Sequence, residues 1–208
     1  EENEDTVLEM LRHLPAHSQE RFSAYSNLRS KIQSLAGEVL ARYATGHYIG
    51  QPFNLGVLQT GKNGKPYFVS PKHIHFNISH SGKYIVCGVS TSEIGIDVER
   101  IRRVNLRIAE RYFSEREMND LLQLNEDERM EYFITLWTIK EAYLKSIGRG
   151  LTQKLNTFTI TKIHEQYKLT GNKQAEKFDV ASLRLDTNYV LAVCSSKKFI
   201  LEPILFLN

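Results

Sequence analysis

Apolar residues recur every three or four positions through Val7, Leu8, Met10, Leu11 and Leu14, which predicts a short helix over residues 6–14 closed by Pro15. A longer stripe, Phe22, Tyr25, Leu28, Ile32, Leu35, Val39 and Leu40, predicts one helix over 19–43 opening at Ser18. Gly37 inside that stripe costs up to about 1 kcal/mol against Ala, so its presence points to close packing. The period then drops to two. Runs at 55–60 and 66–69 read as strands joined by Gly61-Lys62-Asn63-Gly64-Lys65, and Asn63-Gly64 is a strong hairpin turn. Strand character continues through 76–82, 84–89 and 94–99. Helical spacing returns over 106–112, and again from the capping-box pattern Ser114-Glu115-Arg116-Glu117 to about 124. Residues 125–129 read as a polar turn, and 131–146 as a long helix ended by Gly148 to Gly150. Five strand-like runs, 158–163, 167–169, 178–185, 189–194 and 199–206, close the chain. The layout is a helix plus hairpin sheet, made twice.

Two segments break this pattern with charge. Gly95-Ile96-Asp97-Val98-Glu99 places two carboxylates in an apolar strand. Alternation points Asp97 and Glu99 to one face, roughly 7 Å apart. At an effective dielectric near 20 their repulsion is roughly 2 kcal/mol, which calls for a compensating cation, either Arg, Lys or a metal. In Trp137-Thr138-Ile139-Lys140-Glu141-Ala142-Tyr143-Leu144-Lys145, Glu141 and Lys145 are four apart on one helix face. Taken alone they make a surface ion pair worth a few tenths of a kcal/mol.

Composition narrows the classes. The chain has 208 residues, 41% hydrophobic, with a formal net charge of +3, enough for a core and too weakly basic to imply nucleic acid. No run of about 18 apolar residues suggests a membrane span, so a cytoplasmic protein is expected. Cys87 and Cys194 lie in apolar strand-like runs and read as buried, reduced thiols. The first residue is not Met, which fits a numbering that begins inside a longer chain. Gly56-x4-Gly61-Lys62 is a near-match to a phosphate-binding loop, but Asn63 follows where Ser or Thr is needed, and Lys65-Pro66 prevents the helix. Ser79 and His80 are adjacent in a strand, so they face opposite ways and do not form a hydrolase pair; Phe76 to Gly82 reads instead as a donor cluster suited to phosphate.

Five motifs taken together identify a resemblance. Gly64-Lys65-Pro66, Phe76-Asn77-Ile78-Ser79-His80-Ser81-Gly82, Gly95-Ile96-Asp97-Val98-Glu99, Arg111-Tyr112-Phe113-Ser114-x-x-Glu117 and the Trp137–Lys145 stretch occur in the order and spacing of the surfactin-synthetase-activating (Sfp-type) 4′-phosphopantetheinyl transferases. Over nearly its whole length the sequence resembles that family. The resemblance implies an α+β fold built as a pseudo-two-fold pair of similar α/β halves, each a small antiparallel sheet packed on a long helix. Residues 1–98 would form the coenzyme A-binding half, and residues 99–208 the half contributing to metal and carrier docking. The family opens with a strand ahead of its first helix; this sequence begins at the helix, as expected of a trimmed start or of a departure that would weaken the first sheet.

The implied activity is transfer of 4′-phosphopantetheine from coenzyme A, the co-substrate, to a serine of an apo peptidyl or acyl carrier protein. Asp97, Glu99 and Glu141 would be hard oxygen ligands for Mg²⁺, and Mn²⁺ suits the same oxygens. Glu141 and Lys145 would be catalytic: Glu141, or a metal-bound water held by it, as base, and Lys145 against phosphate charge. By resemblance Arg21 and Ser34 would grip the 3′-phosphate, Lys65 and Pro66 would lie along the adenine, and Ser79, His80 and Lys145 would hold the other phosphates. Ser18 stands where relatives often carry a lysine. The arginines between Arg100 and Phe113 form a candidate docking surface for an acidic carrier helix. A monomer is expected. The competing readings are a non-catalytic coenzyme A or carrier-binding protein, a nucleotide hydrolase using the same acids, and a nucleic-acid binder.

Overall fold

The computed structural model describes residues 4–12, 14–23, 26–51, 56–61, 63–148, 154–164 and 166–201. Tyr25, Leu55, Lys62, Gly150 and residues 202–206, which the sequence patterns include, lie outside them. The described part of the last predicted strand, Phe199 to Leu201, carries none.

Among the described residues, six α-helices and nine strands alternate in blocks. Helices α1 (Glu4–Arg12), α2 (Ala16–Ser23) and α3 (Leu28–Ile49) precede β1 (Leu58–Thr60), β2 (Pro66–Phe68), β3 (His75–Ser81), β4 (Tyr84–Ser90) and β5 (Ile94–Arg100). Then come α4 (Arg107–Tyr112), α5 (Glu115–Gln123), α6 (Glu126–Ile147), β6 (Thr159–Ile163), β7 (Gln166–Thr170), β8 (Asp179–Asp186) and β9 (Tyr189–Ser195). All ladders are antiparallel: the hairpins β1–β2 and β3–β4, and a five-stranded sheet ordered β5-β9-β8-β7-β6.

Two helix boundaries differ from the periodicity. The single helix expected over 19–43 is two helices, and Ser18 lies within α2 rather than capping it. Asn27, in extended conformation, caps α3 by accepting a hydrogen bond from the Ser30 amide at 2.9 Å. The apolar stripe continues across the break, so periodicity alone does not reveal it. Likewise residues 125–129 are not a turn. Asn125 accepts from the Glu128 amide at 3.0 Å, and Glu126, Asp127 and Glu128 form an acidic first turn suited to the positive end of the helix dipole. The capping box at Ser114 and Glu117 and the left-handed Gly148 that ends α6 are both present.

The fold is α+β. Helix α3 lies on the β3–β4 hairpin, and Gly37 faces Ile78, whose Cγ2 would be 3.2 Å from an added Cβ. Helix α6 lies on β5 and β9 of the large sheet. Each long helix therefore covers antiparallel strands, but the two sheets are unequal. The division expected between residues 98 and 99 falls inside β5, which pairs with β9 over its full length. Strand β3 runs along the other edge of β5 without a backbone ladder. Asn77, Ser79 and Ser81, alternate residues on one face, take the amides of Ile96, Val98 and Arg100 at 2.8, 3.3 and 3.3 Å. Polar side chains thus satisfy an edge that would otherwise be buried and unpaired. Among the described residues no helix is long and apolar enough to cross a membrane. Cys87 and Cys194 are free thiols, both pushed up to about 12 by burial.

Candidate active site

Strand β5 and helix α6 cross at Gly95. A Cβ built there would collide with the Ala142 carbonyl oxygen and the Ser146 amide nitrogen, so the helix backbone rests directly on the strand. This contact brings the two charged segments together. Asp97 and Glu99 from β5, Glu141, Lys145 and Trp137 from α6, and Ile78, Ser79 and His80 from β3 line one cleft of about 360 Å³. The shared face expected for Asp97 and Glu99 is the face that opens into it.

The cation that the carboxylates require comes first from Lys145. Its ammonium donates to Asp97 Oδ1 at 2.6 Å and to Ser79 Oγ at 2.8 Å. Ser79 in turn donates to Asp97 Oδ1 at 2.8 Å. Lys145 therefore reaches across the cleft to a buried carboxylate, an arrangement the surface-pair reading did not contain. Asp97 is 4% exposed, and burial raises its carboxyl above the usual range against the opposing pull of Lys145. Glu99 is raised by burial and by Asp97, with Arg102 opposing, and it accepts from Ser81 Oγ at 3.4 Å. Glu141 is pushed up to about 7, by burial first and by the charges of Asp97 and Glu99, against Lys145. A carboxyl poised near neutrality is suited to proton transfer.

The donor set fits a hard cation. Three carboxylates border one cleft, and Asp97 Oδ2 is buried with no hydrogen-bond partner. Among the described residues, however, no three acidic, histidine or cysteine side chains close into one ligand cluster.

Of the other residues singled out from the sequence, His80 borders this cleft and the rest lie elsewhere. His80 is exposed at the cleft mouth. Lys65 and Pro66 line a second, larger cleft of about 670 Å³, with Phe68, Ile74, His75, Glu93 and Gly148. Neither cleft is lined by Arg21 or Ser34. Arg21 forms an ion pair with Glu38, and Ser34 is half-buried on α3. Ser18 is buried in the same polar knot, donating to Glu38 Oε1 at 2.6 Å, and Arg42 closes it on Glu38 at 2.7 Å. On the arginine segment Arg100, Arg102, Arg103, Arg107 and Arg111 are exposed, whereas Phe113 is 3% exposed and packs on Phe133, so it cannot join a docking surface. Tyr112 packs edge-on against the cleft residue Trp137 at 5.5 Å.

The periodicity did not anticipate Lys140. It is fully buried against Glu117, itself fully buried, at 2.9 Å, and its ammonium also donates to the carbonyls of Leu155 and Phe158. Glu117 accepts from the amides of Ser114 and Ile160, both at 2.7 Å. With its partners in place a buried pair of this kind holds α6 against α5 and β6, and removing one member would strand the other charge. The available signal was that 140 falls between apolar positions 139 and 142–144 rather than on a polar face.

Two family models match the chain. Residues 93–194 match a model described as the 4′-phosphopantetheinyl transferase superfamily, and residues 2–92 match one described as 4′-phosphopantetheinyl transferase, N-terminal. The chain is 34% identical over 177 residues to the 4′-phosphopantetheinyl transferase gsp of Aneurinibacillus migulanus, covering 85% of this chain and 74% of the relative. It is 33% identical over 170 residues to the 4′-phosphopantetheinyl transferase Sfp of Bacillus subtilis, covering 79% and 74%. A solved structure, the holo-[acyl-carrier-protein] synthase of Thermotoga maritima, matches at 26% identity and a TM-score of 0.43, over 51% of this chain and 64% of that one.

Proposed function

Because the chain belongs to the 4′-phosphopantetheinyl transferase superfamily, we propose that the cleft between β5 and α6 moves the phosphopantetheine group of coenzyme A onto a serine hydroxyl of an apo peptidyl or acyl carrier protein. The observation that carries this reading is the meeting of Asp97, Glu99, Glu141 and Lys145 in one cleft. Such a site suits a reaction that depends on charge neutralisation and alignment.

In this reading the serine oxygen bonds to the phosphorus on the pantetheine side of the pyrophosphate. The bond from that phosphorus to the bridging oxygen breaks, and adenosine 3′,5′-bisphosphate leaves. Glu141, whose carboxyl burial and its acidic neighbours raise to about 7 in the cation-free protein, or a metal-bound water held by it, takes the serine proton. Lys145 meets the charge growing on the phosphoryl oxygens, with Ser79 and His80 alongside. Asp97, Glu99 and Glu141 would hold Mg²⁺, or Mn²⁺, which when bound supplies charge neutralisation on the pyrophosphate. Pro66 and the carbon stem of Lys65 offer the second cleft to the adenine, and Arg21 and Ser34 remain the candidates for the 3′-phosphate. Both sides of the cleft come from one chain, so a monomer suffices.

Intact-mass spectrometry of an apo carrier incubated with this protein, coenzyme A and Mg²⁺ tests the proposal. The expected result is a gain of one phosphopantetheine that disappears with chelator. Coenzyme A binding with no mass gain on either peptidyl or acyl carriers would overturn it in favour of a non-catalytic binding protein. Release of phosphopantetheine without carrier would mark a hydrolase.

The exposed arginines are proposed to receive the carrier. The field of Arg102 reaches Glu99, so α4 offers the cleaner test. Reversing the charge of Arg107 and Arg111 together is expected to raise the KM for carrier roughly tenfold and to leave the KM for coenzyme A unchanged. Steady-state kinetics with each substrate varied decides it, and an unchanged carrier KM would remove α4 from the docking surface.

A further inference from the structure

The Lys65 ammonium lies outside the reactive cleft and points away from solvent. It donates to three main-chain carbonyls: Ile94 at 3.0 Å, Lys145 at 2.8 Å and Ser146 at 3.2 Å. An ammonium has three donors, and all three are used. The carbonyls of Lys145 and Ser146 belong to the last turn of α6, where carbonyls lack helical partners and the helix dipole favours a cation. The carbonyl of Ile94 opens β5. One ammonium therefore joins the end of the helix that carries Glu141 and Lys145 to the start of the strand that carries Asp97 and Glu99. The junction is one residue from Gly95, where helix and strand touch.

The turn between β1 and β2 grips the same helix end a second time, through Asn63 Nδ2 donating to the Gly148 carbonyl at 2.7 Å. The carbon stem of Lys65 passes beside Gly148, whose added Cβ would lie 3.7 Å from Lys65 Cδ, and it lines the second cleft with Pro66. The residue thus shows two faces. Its stem borders a ligand-sized cavity, while its charge is spent inside the protein.

We infer that Lys65 is a positioning residue: its ammonium holds the Lys145 turn of α6 against β5, and so sets the spacing across the reactive cleft, while the second cleft is offered its carbon stem alone. The inference rests on the reading of the first cleft as the transfer site. It separates two roles that a contact with bound nucleotide would merge, because a ligand contact acts on affinity and a positioning contact acts on turnover.

The test is Lys65→Met, which keeps the stem and removes the charge. The expected result is a fall in kcat of roughly 10–100-fold, with the KM for coenzyme A within about twofold of the parent. In the protein without substrates, amide hydrogen exchange over residues 145–148 is expected to quicken by about tenfold or more, as the helix end loses its tie. Lys65→Arg, which restores a cation, should recover part of the lost kcat. Should Lys65→Met fail to fold, Asn63→Ala loosens the same helix end from an exposed position, and it should lower kcat and quicken exchange to a smaller degree with the KM for coenzyme A unchanged. A raised KM for coenzyme A with unchanged kcat and unchanged exchange would overturn the inference and assign the ammonium to the ligand. Absence of transfer by the parent protein would defeat the functional reading alone, and the exchange comparison would still decide the role of Lys65.

Discussion

Glu141→Gln is expected to lower transfer turnover by roughly 10²–10⁴-fold and, above neutral pH, to make the cation-free protein more stable rather than less. The two effects have one cause. Burial and the charges of Asp97 and Glu99 lift the Glu141 carboxyl from its ordinary value of 4.5 to about 7, Lys145 opposing. The folded protein therefore binds this proton more tightly than the unfolded chain does. Its contribution to stability is full below about 4.5 and is lost as pH rises through about 7. Gln keeps the shape and removes the charge, so the loss does not occur. The same neutral side chain can neither accept a serine proton nor offer a full anionic ligand. Thermal melts at pH 6 and pH 8, in chelator, would show the stability of parent and variant diverging toward higher pH. Titrating divalent cation into the parent near pH 7 should release protons, because a cation favours the ionised carboxylate, and the variant should release fewer. A variant that turned over within about threefold of the parent would remove Glu141 from the proton-transfer role.

Gly95→Ala should do damage of a different kind. The added methyl meets main-chain atoms of Ala142 and Ser146, and no rotamer change can relieve a clash with backbone. Helix α6 must lift from β5, or β5 must shift within a strand that is hydrogen-bonded along both edges. Overpacking of this sort costs on the order of 3 kcal/mol, which lowers Tm by roughly 6–12 °C in a chain of this size. The displacement separates the carboxylates of β5 from Glu141 and Lys145. A misplacement of about 1 Å can cost roughly 100-fold in rate, so turnover should fall by that order even well below the new Tm. Calorimetry and kinetics at low temperature separate the two losses. Parent-like Tm and turnover would mean that the strand and helix are not held as closely as their backbones indicate.

The two variants act at positions that are unequally visible in the sequence. Acid residues in an apolar strand carry a local electrostatic cost, so Asp97 and Glu99 announce a site without any tertiary information. Glycine beside them announces a special backbone position, though not what approaches it. Glu141 and Lys145 carry no such signal, because a pair four apart on a helix is commonplace. Their meaning depends on which way the helix faces, and Lys145 is seen to reach Asp97 rather than solvent. Lys65 illustrates the limit further. Its place at the end of a Gly-rich turn says nothing of its three partners, which lie 29, 80 and 81 residues away along the chain.

Within the chain itself the sequence determined the hairpins, the shared face of Asp97 and Glu99, the capping box at Ser114, the glycine stop at Gly148 and the short list of acids and cations, because each rests on period, turn chemistry or local charge. The resemblance of its five motifs to one family extended that list to an activity. Tertiary structure decided the rest. Asn27 and Asn125 became helix caps because their side chains found amides three residues on, an outcome the apolar stripe does not encode. Asn77, Ser79 and Ser81 became the stitching of β3 to β5, because the edge amides of β5, buried at Ile96 and Val98, needed acceptors. Lys140 went inside with Glu117, and Lys65 went to the end of α6, because a charge is stabilised by whichever partners the fold brings within hydrogen-bond reach. Such partners are distant in sequence, and no periodicity records them.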